Sequence, residues 1–162
     1  MSHDLQLTSR ILDLLTGREE TFAVAESLTA GLLAATIVDL PKVSTAFRGG
    51  VVVYATDLKV TLADVPAELL AERGPVDPDV AVALAEGVRR RCGADWGLST
   101  TGVAGPDPQN GVPVGTVYIG VAGPKVAEAR RLELAGGRAD IRARAVTAAL
   151  ELLADQLRDD AA

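Results

Sequence analysis

Apolar residues recur at helical spacing at the start of the chain. Leu5, Leu7, Ile11, Leu14 and Leu15 fall mostly on one face, and Gly17 is placed to end a helix there. The period then changes. Thr21 to Ala25 is a short, continuous apolar run, which predicts a buried strand. From Thr29 to Leu40 the helical spacing returns, with Leu32, Leu33, Thr36, Ile37 and Leu40 on one face and Pro41 as the stop. Phe47 to Tyr54 is rich in β-branched residues and predicts a second strand. A turn and short helix follow over Ala55 to Val65, and Pro66 begins another helix. Pro75-Val76-Asp77-Pro78 breaks the chain before a helix over Asp79 to Arg91. Strands are predicted at Asp95 to Thr101, Thr116 to Ala122 and Val126 to Leu134, the last two forming a hairpin around Gly123-Pro124. Arg138 to Leu157 reads as a long closing helix.

Strands and helices alternate first, and a hairpin then precedes the last helix. That order predicts an α/β fold, a three-layer α/β/α sandwich with a mixed β-sheet, over a single domain of residues 1–162. In such sheets, sites gather just outside the strand ends. Two segments lie there: E-S-L-T-A-G, Glu26 to Gly31, and T-T-G-V-A-G-P, Thr100 to Pro106.

Composition narrows the function. A chain of 162 residues that is 48% apolar and 23% charged suits one folded domain. Aromatics are only 3%, so the core must be built from Ala, Val, Leu and Ile. The net charge of −6 offers no basic footprint for nucleic acid. Arg89-Arg90-Arg91 is read as a solvated helix end, where cations suit the dipole. No apolar run reaches the length of a membrane span, and the N-terminus has no signal-peptide pattern, so a cytoplasmic protein without membrane partners is expected. The lone Cys92 permits no internal disulfide and is expected to be a buried thiol.

The only histidine is His3, beside the chain terminus and expected at the surface. A histidine-based triad is therefore improbable, and a zinc site of His and Cys is short of ligands. A hydrolase built on this chain needs Lys, Tyr, Asp or Glu as its base. Ser27 is expected at a strand-to-helix turn, with Thr29 and the amides of Ala30 and Gly31 opening the helix. That pattern serves either N-capping or the binding of an anion or oxyanion. Thr101, Gly102 and Gly105 lie in the long loop after the third strand, and the absence of G-K-[ST] rules out a P-loop. Lys59 follows Tyr54 by five residues, and a lysine neutralised by burial is a known base for serine.

Taken together and in order, A-E-S-L-T-A-G, F-R-G-G-V-V-V-Y-A-T-D-L-K, T-T-G-V-A-G-P-D and P-V-G-T-V-Y-I-G resemble the CinA C-terminal domain and PncC nicotinamide-nucleotide amidase family. The resemblance runs from about Leu5 to Leu157. It implies hydrolysis of nicotinamide mononucleotide to nicotinate mononucleotide and ammonia, with no metal and no organic cofactor, by a homo-oligomer. It assigns the nucleophile to Ser27, the base to Lys59 with Tyr54 in a relay, and oxyanion support to Thr101 and the amides near Thr29, Ala30 and Gly31. Arg142 or the amides from Gly102 to Gly105 are expected to anchor the substrate phosphate, and Glu26 either orients Lys59 or satisfies backbone donors. Two positions depart from the family pattern: Ala30, where a second glycine is common, and Thr56, where asparagine is common. The family's N-terminal pyrophosphatase-linked domain has no counterpart in these residues, so that activity is not expected. A non-catalytic nucleotide-binding module with the same pocket is the alternative, and a purely structural interaction protein is the third reading.

Overall fold

The computed structural model describes residues 1–161. The elements run α1 (His3–Arg18), β1 (Phe22–Glu26), α2 (Leu32–Val38), a 3-10 turn (Val43–Thr45), β2 (Phe47–Val52), α3 (Thr56–Ala63), α4 (Ala67–Arg73), α5 (Pro78–Arg91), β3 (Trp96–Gly102), β4 (Thr116–Ala122), β5 (Ala127–Glu133) and α6 (Arg138–Ala161). One mixed sheet has the order β2-β1-β3-β4-β5. β2, β1 and β3 are parallel; β4 and β5 are added antiparallel. The layered α/β architecture expected from the sequence is the one observed.

Strand parity divides the core. Phe22, Val24, Trp96, Leu98, Ile119 and Val121 face α1, α2 and α6 in one apolar cluster. Ala23 and Ala25 face the other way, toward Val80, Leu84 and Val88 of α5. On this second face the sheet is lined with small residues, and α5 comes very close. A Cβ on Gly97 would stand 2.0 Å from the Ala85 carbonyl oxygen, and one on Gly120 would stand 2.4 Å from that of Ala81. Ser99 Oγ donates to the same Ala81 carbonyl at 2.6 Å. Few aromatics are needed because the helix backbone itself fills the space. The largest buried side chain is Trp96, whose indole N–H donates to Glu20 at 2.7 Å.

Several local expectations are corrected. Gly17 does not end α1. The helix runs through it to Arg18, and Glu19 takes the left-handed stop at φ 56°. Arg18 holds that last turn against α6 by bonding the Leu157 carbonyl and Asp160. The helix expected from Thr29 begins only at Leu32, because Ala30 (φ 46°) and Gly31 (φ 96°) are left-handed and cannot be helical. Cys92 is half-buried at the end of α5, where burial pushes its thiol pKa up. Of the three arginines before it, Arg89 bonds the Asp95 carbonyl at 2.6 Å and Arg91 bonds that of Thr61, while Arg90 and Arg91 stay exposed, as expected of a solvated helix end. His3 is exposed, as expected, beside Glu151. No helix among the described residues is long and apolar enough to cross a membrane.

Candidate active site

The strand order creates the site. From β1 the chain crosses through α2 to β2 on one side, and from β2 through α3, α4 and α5 to β3 on the other. The connections therefore diverge between β1 and β3, and such a switch point leaves a crevice beyond the carboxyl ends of the strands. Ser27 directly follows β1, and Thr101 sits near the end of β3. A cleft of about 140 Å³ opens between them, lined by Ser27, Lys59, Thr101, Tyr54, Arg138 and the chain from Gly102 to Gly105.

Within it, Lys59 Nζ lies 3.0 Å from Ser27 Oγ and 2.7 Å from the Val53 carbonyl oxygen. Ser27 is the first residue past β1 with odd strand parity, so it turns toward the α3 side, where the first turn of α3 carries Lys59 inward. The lysine is 1% exposed. That burial lowers its pKa from 10.5 to about 8. No carboxylate pairs with it among the described residues, so nothing offsets the desolvation. Roughly a tenth of the amine is neutral at pH 7 by the ordinary titration relation. A neutral amine keeps one N–H for Val53 and turns its lone pair to the Ser27 hydroxyl. The pair is thus arranged to abstract the serine proton.

The turn after Ser27 is anchored from below. Ser27 N–H donates to the Thr100 carbonyl at 3.0 Å, and the Thr29 and Thr100 hydroxyls meet at 2.8 Å. Thr29 therefore holds β1 to β3 and does not open a helix. For Glu26 the second of its two expected roles holds. Its buried carboxylate accepts from Leu33 N–H at 2.8 Å and Ala34 N–H at 3.1 Å. It caps α2 and does not orient Lys59, and the start of α2 is closed to ligands. The Ala30 amide donates to the Ser27 carbonyl at 3.1 Å, so it is spent inside the turn and is no oxyanion donor. Gly31 does not line the cleft, and its left-handed φ serves the turn.

Thr101 lines the cleft, but its hydroxyl donates to the Pro75 carbonyl at 2.6 Å. It can accept a bond from a ligand but has no proton left to give an oxyanion. Tyr54 is 58% exposed at the mouth, and its hydroxyl accepts from Arg138 at 3.2 Å, with no bond to Ser27 or Lys59. A tyrosine relay has no path here, and the direct Ser27–Lys59 contact makes one unnecessary. Arg142 is the largest displacement from expectation. Its guanidinium bonds the Leu28 carbonyl at 2.9 Å and the Thr29 carbonyl at 3.0 Å, and it does not line the cleft.

The guanidinium that does line the cleft belongs to Arg138, which sequence reasoning missed. It bonds the Gly105 carbonyl and the Tyr54 hydroxyl, bridging the two walls. A signal existed: a cation in the first turn of a helix opposes the helix dipole, so Arg138 gains nothing there from the helix itself. Thr56, the first residue of α3, also lines the cleft. Among the described residues no cluster of three His, Cys, Asp or Glu side chains could hold a metal.

The departure at position 30 has a measurable cost. Alanine at φ 46° pays about 1–2 kcal/mol for its Cβ, which glycine avoids at a smaller entropic cost. Ala30→Gly is expected to stabilise the fold by about 0.5–1 kcal/mol, raising the thermal midpoint by about 2 °C. A midpoint that falls would show that Ala30 makes a compensating contact.

Residues 4–157 match the family model described as the CinA C-terminal domain. A CinA-like protein of Frankia casuarinae is 51% identical over 150 residues, covering 93% of this chain and 35% of that protein. The chain spans about a third of the length of the curated relatives it matches. Among solved structures, a competence-damaged protein (CinA) superfamily protein from Klebsiella pneumoniae superposes with a TM-score of 0.92 at 28% identity, covering 98% of this chain and 99% of that one. The competence/damage inducible protein of Agrobacterium tumefaciens gives 0.91 at 28% identity, over 98% and 97% of the two chains.

Proposed function

The chain belongs to the CinA C-terminal domain family, and from that premise we propose that it is an amidohydrolase that deamidates nicotinamide mononucleotide through a Ser-Lys pair. The observation that carries this reading is the 3.0 Å approach of a buried lysine amine, unpaired with any carboxylate among the described residues, to a serine oxygen at the mouth of a cleft. A buried lysine without a partner is costly to keep, and general-base work is the use that explains it.

The steps follow from the geometry. Neutral Lys59 takes the Ser27 proton as Oγ attacks the carboxamide carbon. The carbonyl oxygen becomes an oxyanion beside the N–H groups of Leu28 and Thr29, neither of which has a protein acceptor among the described residues. Lys59 then returns the proton to the departing amine, releasing ammonia and leaving an ester on Ser27. Water, deprotonated by the same amine, hydrolyses the ester to the acid. Arg138 takes the anchoring role for the substrate phosphate, assisted by the amides of Ala104 and Gly105 at the cleft wall. The Tyr54 ring at the mouth offers an aromatic face to the cationic pyridinium.

The test is ammonia release from nicotinamide mononucleotide. Wild-type protein is expected to turn it over, and Ser27→Ala to show none above background. Equal release from both would remove Ser27 from the chemistry. Calorimetric binding of the nucleotide with no turnover by the wild type would favour the non-catalytic module.

A further inference from the structure

Three successive carbonyls of the turn after β1 are tied off, and this fixes where its N–H groups point. The Ser27 carbonyl accepts from Ala30 N–H at 3.1 Å. The Leu28 carbonyl accepts from Arg142 Nε at 2.9 Å. The Thr29 carbonyl accepts from Arg142 Nη2 at 3.0 Å and from Leu32 N–H at 3.0 Å. A trans peptide sends its C=O and its N–H in opposite directions. Thr29 N–H therefore points away from Arg142, and Leu28 N–H points away from Ala30. Both residues are buried, at 3% and 0% exposure, yet neither amide meets a protein acceptor among the described residues. Buried N–H groups are almost always paired, so these two are held for an acceptor that the protein does not supply.

We propose that Arg142 is a positioning residue. Its guanidinium fork holds the Leu28 carbonyl, whose peptide carries Thr29 N–H. It also holds the Thr29 carbonyl, whose peptide carries the Ala30 N–H that ties down the Ser27 carbonyl and with it Leu28 N–H. The Leu28 and Thr29 N–H groups are thereby faced to the Ser27 oxygen and receive the oxyanion. This rests on the amidase reading above. Arg142 acts from behind the turn: it belongs to α6, on the sheet face opposite Lys59, and does not line the cleft. The role needs arginine. A guanidinium presents two N–H groups in a fixed fork and spans two successive carbonyls, whereas an ammonium holds one at a time. Without the fork, either peptide can rotate and present a carbonyl where the oxyanion forms.

The experiment compares Arg142→Lys and Arg142→Gln with the wild type. Both variants are expected to lose about 100-fold in kcat for ammonia release, the scale of a lost oxyanion donor. KM should stay within about twofold, and the acid limb of the pH profile should stay in place, because Lys59 and the substrate contacts are untouched. A raised KM with kcat intact would overturn the proposal and make Arg142 a substrate ligand. Unchanged kcat in both variants would overturn it as well. Arg142→Lys keeps the charge and the stem, so the comparison survives if Arg142→Gln does not fold. A second measurement needs no turnover. Amide hydrogen exchange at Ala30 and Leu32, whose bonds to the Ser27 and Thr29 carbonyls depend on the same planes, should quicken about tenfold in Arg142→Lys, with the rest of the protein unaffected. Unchanged exchange would overturn the clamp even in an active enzyme. If the wild type releases no ammonia, the amidase reading falls separately, and exchange alone decides the clamp.

Discussion

Lys59→Met is expected to abolish the proposed ammonia release and at the same time to make the protein more stable at neutral pH. The activity loss is expected at about 10³–10⁴-fold, the upper range for a general base, because among the described residues Lys59 is the only basic group that bonds the Ser27 hydroxyl. The stability gain follows from the sign of the pKa shift. The folded-state value of about 8 lies below the 10.5 of the free group. The unfolded chain therefore binds more protons than the folded one between those pH values, and wild-type stability rises as pH climbs through that window. Below about pH 8 the fold carries the full penalty of a buried ammonium, roughly 3 kcal/mol at most from the size of the shift. Methionine removes the charge and keeps the volume, but it leaves the Val53 carbonyl without its donor, which returns about 1–2 kcal/mol. The net gain of about 1–2 kcal/mol should be seen in denaturant midpoints at pH 7, should shrink as pH rises past about 8, and should reverse to a loss of about 1–2 kcal/mol above about pH 10.5. In the wild type, the rate should climb on the acid side with an apparent pKa near 8. A variant less stable than wild type at pH 7, or one with its activity intact, would defeat the assignment.

Gly97→Val is expected to hurt the fold severely. Its Cβ would stand 2.0 Å from the Ala85 carbonyl oxygen and 2.9 Å from the carbonyl carbon. The obstacle is helix backbone, so no side chain can swing aside. Either α5 lifts from the sheet or β3 bends, and both open the cluster of Val80, Leu84 and Val88. Overpacking usually costs 1–3 kcal/mol; here about 4 kcal/mol or more is expected, a large part of the margin of a domain this size. The control has the opposite sign. Gly17 lies exposed within α1 with nothing within 4 Å of an added Cβ, so Gly17→Ala should stabilise by about 1 kcal/mol. Denaturation curves that place the two variants on the same side of wild type would contradict this account of the sheet.

The contrast between these two glycines shows what was legible in the sequence. Element order and the sheet class came through, because alternation of periods survives in a chain whose core is almost wholly aliphatic. The pairing of Ser27 with Lys59 was legible through the family resemblance; Ser27 lies just past β1, and Lys59 lies on the helix that follows β2, the parallel strand beside it. Direction of long side chains was not. Glu26 and Arg142 were placed in the right neighbourhood or beside it and Arg138 was not singled out, because tertiary contacts decide which way a carboxylate or guanidinium turns. Glu26 turned to the amides of α2, Arg142 to carbonyls behind the turn, and Arg138 to the cleft. The late start of α2 was hidden for a different reason: alanine at position 30 gives no warning of a left-handed backbone.

Trp96 is the chain's only tryptophan, wholly enclosed at the start of β3. The strand runs seven residues to Gly102, so the indole sits about 20 Å from the cleft end at ordinary strand rise. Its emission will therefore be that of a single shielded fluorophore, red-shifting only when the seam of α1 and β3 comes apart. Ligand titrations at the far end will leave that light unchanged, giving an optical readout of unfolding that occupancy of the cleft does not confound.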